Sequence, residues 1–272
     1  MNCAARASSR RSLIPNSAEA GVADGVVLIN LDSRPDRLAR FRDQAAAVPA
    51  LAGWQRLSAV PGTALPGYGR PPWFRGRARN RVWAGRAGCV LSHRRALELA
   101  RAQGWRSVLI LEDDVEFGPT LDAALRSPAL AAVDWDLCYL GYSRCLAPLR
   151  RWGGIAAATD LYAVQGAYTT HACLVRESLY DWLLRQLPTA DSVWPWLARH
   201  RAIDRWYARH LAARFHVAAV SPTLVGQFCD FSDIGQRDPG PDRDRHLQGR
   251  LDPGRAVGPV ARGDAGRGGA LR

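Results

Sequence analysis

The stretch Val108-Leu109-Ile110-Leu111-Glu112-Asp113-Asp114 runs four apolar residues directly into three acids. An apolar run without polar alternation reads as a strand buried on both faces, as in a parallel or mixed sheet covered by helices. Such a strand delivers its terminal carboxylates to the carboxyl edge of the sheet, where open α/β folds bind ligands. Adjacent carboxylates repel one another, and a hard divalent cation with oxygen ligands is the common remedy. Glu112 and Asp114 would share one side of the strand if it continued that far. An acid-rich helix N-terminus or a solvated turn is the plainer reading of the same residues.

Upstream, Gly25 to Leu31 reads as a first buried strand, with Asp32 or Ser33 as a cap and Pro35 opening a helix to about Ala46. Asn30, Asp32, Arg34 and Arg37 then gather where the strand ends and the helix begins, a natural place for a nucleotide or its phosphates. A capping turn with surface arginines is the alternative. Trp54 to Val60 reads as a short strand. Pro61 to Trp83 is rich in Gly, Pro and Arg, with Trp73, Phe74 and Trp83 interleaved. A loop of that length is usually functional or disordered, so it reads as a mobile flap over an anionic ligand or as a solvated loop. Gly88 to Gln103 has helical spacing, with Ser92 and His93 near its start and Gly104 as its stop.

Downstream, the pattern predicts a helix over 119–131, a strand over 135–140 and a Gly-rich loop through Ile155. A strand over 167–175, an amphipathic helix over 177–187, a helix over 202–211 with Asp204 at its start, and a last strand over 215–220 follow. Trp194, Trp196 and Trp206 are core rings or platforms for sugar rings. Strands alternating with helices make the class α/β. Neither a Gly-x-Gly-x-x-Gly fingerprint nor a P-loop is present.

The 272 residues suffice for one large domain, expected over 25–234 between a disordered extension at 1–24 and a disordered Gly/Pro/Arg/Asp-rich tail at 235–272. The net charge of +12 is concentrated: residues 33–106 hold 15 Arg against Asp36, Asp43 and Glu98, and the remainder is balanced. There is no lysine, so the arginines are not each read as recognition residues. The local excess still implies an anionic partner: a phosphorylated ligand, an acidic membrane surface or nucleic acid. No apolar run approaches a membrane span. The six cysteines contain no C-x-x-C pair and read as reduced thiols of a cytoplasmic protein.

Several separated segments together resemble one family. Ile29-Asn30-Leu31-Asp32-Ser33-Arg34-Pro35-Asp36-Arg37 is similar to the opening motif of glycosyltransferase family 25. Gly88-Cys89-Val90-Leu91-Ser92-His93 is similar to its second motif, Ile110-Leu111-Glu112-Asp113-Asp114 to its third, and Asp204 to the acid of a later, looser one. Pro222 to Gln227 with Ser232-Asp233-Ile234 resembles its closing segment. The resemblance implies a GT-A type fold with a central, mostly parallel sheet flanked by helices. It implies a UDP-sugar donor, often UDP-galactose, inversion at the anomeric carbon, and a saccharide or glycolipid acceptor in lipopolysaccharide or other cell-surface glycan synthesis. Peripheral association with the inner face of the inner membrane goes with such an acceptor.

Within that resemblance, Asn30, Asp32, Arg34, Arg37, Ser92, His93, Glu112 and Asp113 fall to the donor. Asp114, with Glu112, falls to Mn²⁺ or Mg²⁺. Glutamate stands where the fold usually has the first aspartate of Asp-x-Asp, which leaves open which acid ligates directly. Asp204 is the candidate general base and Asp233 its competitor. Two other classes fit parts of the pattern. A metal-dependent phosphoryl hydrolase would need further ligands at other strand ends. An arginine-rich nucleic-acid binder would need a recognised motif, and specific nucleic acid is not expected.

Overall fold

A computed structural model describes residues 21–74, 77–146 and 150–228. The expected tail and Asp233 lie outside them, as does the extension up to residue 20. Residues 21–24 pack on the domain: Val22 is buried and its N–H donates to Leu125 O at 3.0 Å.

In chain order the elements are β1 (Gly25–Asn30), α1 (Pro35–Ala45), β2 (Gln55–Ser58), α2 (Arg77–Ala102), β3 (Ser107–Glu112), β4 (Val115–Phe117), α3 (Leu121–Leu125) and α4 (Pro128–Ala132). Then come β5 (Leu137–Gly141), β6 (Arg144–Leu146), β7 (Arg150–Ala156), β8 (Thr159–Ala163), β9 (Gly166–Tyr168) and β10 (Ala172–Arg176). The described chain closes with α5 (Glu177–Gln186), α6 (Val193–His200), α7 (Ile203–His210), β11 (Val217–Ser221) and β12 (Val225–Gln227).

The main sheet has eight strands in the order β2-β1-β3-β10-β5-β11-β8-β7. The pairings orient β2, β1, β3, β5, β11 and β7 one way, and only β10 and β8 the other. The fold is therefore α/β with a mixed, mostly parallel sheet, as expected. Side chains alternate across a strand, so the apolar run of β3 serves two cores. Val108 and Ile110 join the core beneath α2, α5, α6 and α7. Leu109 and Leu111 join the core beneath α1, α3 and α4. Each face is covered, which is why the run needs no polar alternation. Among the described residues, no helix is long and apolar enough to cross a membrane.

Four expectations are corrected. The strand ends at Glu112, and Asp113 and Asp114 form a turn into β4, so Glu112 and Asp114 do not share a strand side. The helix predicted over 119–131 is two short helices, broken where Pro128 disfavours helix at the residue before it. The Gly-rich segment leading to Ile155 carries β6 and most of β7, and β7 pairs with β8 at the sheet edge. The last described strand is β12, not β11.

The Arg-rich segment is the largest difference. α2 begins at Arg77 rather than Gly88, so the end of the expected flap is helix. Arginine is a good helix former, and two glycines of this region, Gly62 in the loop and Gly88 in the helix, serve packing. A Cβ on Gly62 would meet Ala84 O at 1.8 Å, and one on Gly88 would meet Val60 O at 2.3 Å. The loop ahead of the helix is pinned too. Trp194 Nε1 donates to Pro66 O at 2.6 Å, and Phe74 is buried edge-on against Trp194.

Candidate active site

The carboxyl ends of β1 and β3 open into a cavity of about 870 Å³, within the range of small-ligand clefts. Its walls include Arg37, the row Glu112-Asp113-Asp114, Cys89, Ser92 and His93 from α2, Thr169 and Thr170 ahead of β10, and Asp204 from α7. Segments distant in sequence thus meet at one edge of the sheet.

Each acid of the row has its own partners. Glu112 follows Ile110 on the α2 face of the sheet. It accepts hydrogen bonds from Thr170 Oγ1 at 3.2 Å and Cys89 Sγ at 3.9 Å, and pairs with His93 Nε2 at 3.0 Å. Burial pushes its carboxyl up, but the hydrogen bond and charge of His93 outweigh that and hold it below the usual range. Asp113 turns toward β1 and α1. It accepts from Arg37 Nη1 at 2.8 Å and from Asn30 Nδ2 at 2.7 Å. Asp114 accepts from Gln227 Nε2 at 3.2 Å, with Arg37 Nη1 farther off at 4.0 Å. Burial, and then the charge of Glu112, push the Asp114 carboxyl up to about 7.

A second part of the lining is organised by the backbone. Asp204 lies in the first turn of α7, where a carboxylate is favoured. Its Oδ2 accepts from Thr169 N at 3.1 Å and its Oδ1 from Arg205 N at 2.7 Å. Thr169 has φ +67°, a left-handed conformation uncommon for a β-branched residue and characteristic of functional sites. The segment read as one strand over 167–175 therefore splits into β9 and β10 around this residue. His171, buried and with its pKa lowered by desolvation, is neutral. A carbonyl only accepts, so His171 Nε2–H donates to Val225 O at 3.2 Å, and Nδ1 accepts from Thr169 Oγ1 at 3.1 Å. Val225 belongs to β12, the strand that presents Gln227 to Asp114.

The sequence candidates separate into two groups. Arg37, Ser92, His93, Glu112, Asp113, Asp114 and Asp204 line the cavity. Asn30, Asp32 and Arg34 are not among the lining residues. Asn30 is buried and orients Asp113, while its Oδ1 accepts from Arg56 Nε at 2.8 Å. Asp32 is exposed and held by Arg56 and Ser58. Arg34 pairs with Asp36 at 2.9 Å. Ser92 is a brace between helix and loop: its Oγ donates to Gly88 O at 2.6 Å and accepts from Val60 N at 2.9 Å. Arg81 of the expected flap and Arg86 just beyond it line the cavity. Thr169, Thr170, Cys89 and Gln227 carried no site assignment from the sequence. The polar triplet Thr169-Thr170-His171 interrupting an apolar strand pattern was the available signal.

Parts of the chain are similar to known proteins. Residues 23–137 match the profile of glycosyltransferase family 25 (LPS biosynthesis protein). The chain is 34% identical over 133 residues to inactive glycosyltransferase 25 family member 3 of Homo sapiens, covering 43% of this chain and 22% of that protein. It is 32% identical over 161 residues to a glycosyltransferase 25 family member of Drosophila pseudoobscura pseudoobscura, covering 54% of this chain and 25% of that one. It is 30% identical over 148 residues to procollagen galactosyltransferase 1 of Danio rerio, covering 49% and 24%. These matches span a quarter or less of each relative's length. The resemblance first drawn from the motifs is borne out by the family profile and by relatives bearing the family name.

Proposed function

We propose that this chain, whose residues 23–137 match glycosyltransferase family 25, transfers a sugar, galactose in the first instance, from a UDP-sugar to a saccharide or glycolipid hydroxyl with inversion. The observation that carries the reading is the convergence of the acid row, Arg37 and Asp204 on one cleft. Inversion needs a base on the face away from the leaving group, and Asp204, a carboxylate outside the row that lines the same cleft, is the candidate for that role. Asp204 would take the proton of the attacking hydroxyl, and its two backbone donors fix the carboxylate while leaving it an acceptor. Arg37, Arg81 and Arg86 supply positive charge for the diphosphate.

The residues fit a divalent cation. Asp114 and Glu112 offer carboxylate oxygens of the kind Mn²⁺ or Mg²⁺ takes, and Asp114 is held high by burial and like charge, the condition a cation relieves. When bound, such an ion neutralises charge on the departing nucleotide. Lipopolysaccharide or another cell-surface glycan as product, a cytoplasmic site of action and contact with an acidic membrane face are further parts of this reading, supported by the family description and the local arginine excess. The balanced charge outside residues 33–106 weighs against a nucleic-acid binder.

The test is a screen of UDP-sugars with and without Mn²⁺, read by thermal shift and UDP release. One donor should stabilise the protein only with metal and turn over. Asp114→Asn should lose turnover by about a thousand-fold while remaining folded. Undiminished metal-dependent turnover in that variant would remove the reading.

A further inference from the structure

The acid row accounts for a hard cation, but the α2 wall carries ligands of a different kind. Cys89 and His93 are four residues apart on one helix, so they face the same way. That face meets Glu112 at the end of β3. The Cys89 sulfur, a His93 ring nitrogen and a Glu112 oxygen all lie within 4.8 Å of one another. A tetrahedral zinc with ordinary Zn–S, Zn–N and Zn–O bonds needs ligand atoms about 3.3–3.6 Å apart. The observed 3.0 Å between His93 Nε2 and Glu112 Oε1, and 3.9 Å between Cys89 Sγ and the same oxygen, bracket that spacing.

We propose that Cys89, His93 and Glu112 form a second metal site, one that takes a borderline-soft ion such as Zn²⁺ in preference to Mg²⁺. A thiolate and an imidazole select for such ions, whereas Mg²⁺ demands oxygen ligands. Three protein ligands leave the fourth position open. Here that position faces the cavity, since all three residues line it, and the cavity is the entry path. The His93 side chain, 2% exposed, is held in place by the helix and needs no rotation to present Nε2. Binding replaces the His93–Glu112 hydrogen bond with two metal bonds. His93 gives up the Nε2 proton it holds toward Glu112 and coordinates through the freed lone pair with its remaining proton on Nδ1, the Cys89 thiol gives up its proton, and both protons go to solvent. No oxidation or reduction is involved. An ion seated here engages Glu112, so it competes for that carboxylate with a hard cation bound at Asp114.

The experiment is a Co²⁺ titration of the full chain followed by optical absorption. Its readout is binding, so it is independent of whether the protein transfers sugar. A thiolate-to-cobalt charge-transfer band should appear and vanish when Zn²⁺ is added, but persist in a large excess of Mg²⁺. Cys89→Ser should abolish the band. His93→Gln, which leaves the thiol in place, should weaken Co²⁺ affinity at least about ten-fold. A band that survives in Cys89→Ser, displacement by Mg²⁺ as readily as by Zn²⁺, or no band at all would overturn the proposal.

Discussion

Two walls of one cleft, joined through Thr169 and Thr170, hold their carboxylates by different means. On one wall three consecutive acids are each tied to side chains from other elements: His93 on α2, Asn30 and Arg37 near α1, and Gln227 on β12. On the other, Asp204 stands apart, held by the N–H groups of Thr169 and Arg205. The first arrangement compensates charge, and the second orients a carboxylate with neutral donors. On the proposed reading, a row that sits beside an anionic diphosphate needs compensation, and an acid that accepts a proton needs only aim.

Asp204→Asn strikes the second wall directly. It should lower kcat by about 10²–10⁴ with little change in donor Kd, measured by steady-state kinetics and calorimetry. If donor binding collapses instead, Asp204 belongs with the row and the contrast between the walls fails. Arg37→Ala strikes the first wall. It leaves Asp113 buried with its main counter-charge gone, so urea unfolding should show a loss of about 3 kcal/mol or more. Asp204→Asn, measured the same way, should cost less, about 1–2 kcal/mol, because Asn keeps one oxygen acceptor for the two backbone N–H groups that Asp204 serves.

Gly141→Ala probes the link between the walls. Its Cβ would sit 2.3 Å from His171 Nε2 and 2.4 Å from Val225 O, which predicts a destabilisation of about 1–3 kcal/mol in the same assay. The smallest effect concerns Asp114 without metal. Its folded pKa is raised from 3.8 to about 7, so its contribution to stability is intact below about pH 4 and lost as pH rises through about 7. Asn cannot ionise and escapes that loss. The side chain is 22% exposed, so solvent relieves part of it. Metal-free Asp114→Asn should therefore exceed the wild type by about 1–2 kcal/mol at pH 8 and match it near pH 4, read from melting curves.

The row was legible because its signals are local. Four apolar residues between two helical layers specify the strand, and charge repulsion at its tip specifies a site. Asp204 was readable only through the family resemblance, since one acid at a helix start has an ordinary explanation. What escaped depends on contacts between distant segments. Gly62 reads as a loop glycine and Gly88 as the start of a helix, and both turn out to be contact points between a helix and a loop. Thr169 adopts a positive φ that no local propensity favours. Asn30 was grouped with donor-binding residues by proximity in the chain, yet its side chain faces inward to Asp113. Which acid each partner would choose could not be read from the row itself.

The length of α2 has a mechanical corollary. Its 26 residues span about 39 Å. Arg81 and Arg86 at one end and Cys89 and His93 in the middle all border the cleft, and the Gly62 and Gly88 contacts clamp the same rod to its neighbours. A rigid beam carrying both the rim and the floor moves them as one. Any narrowing of the cleft around a substrate therefore falls to lining residues off the helix, among them Thr169, Asp204 and Gln227.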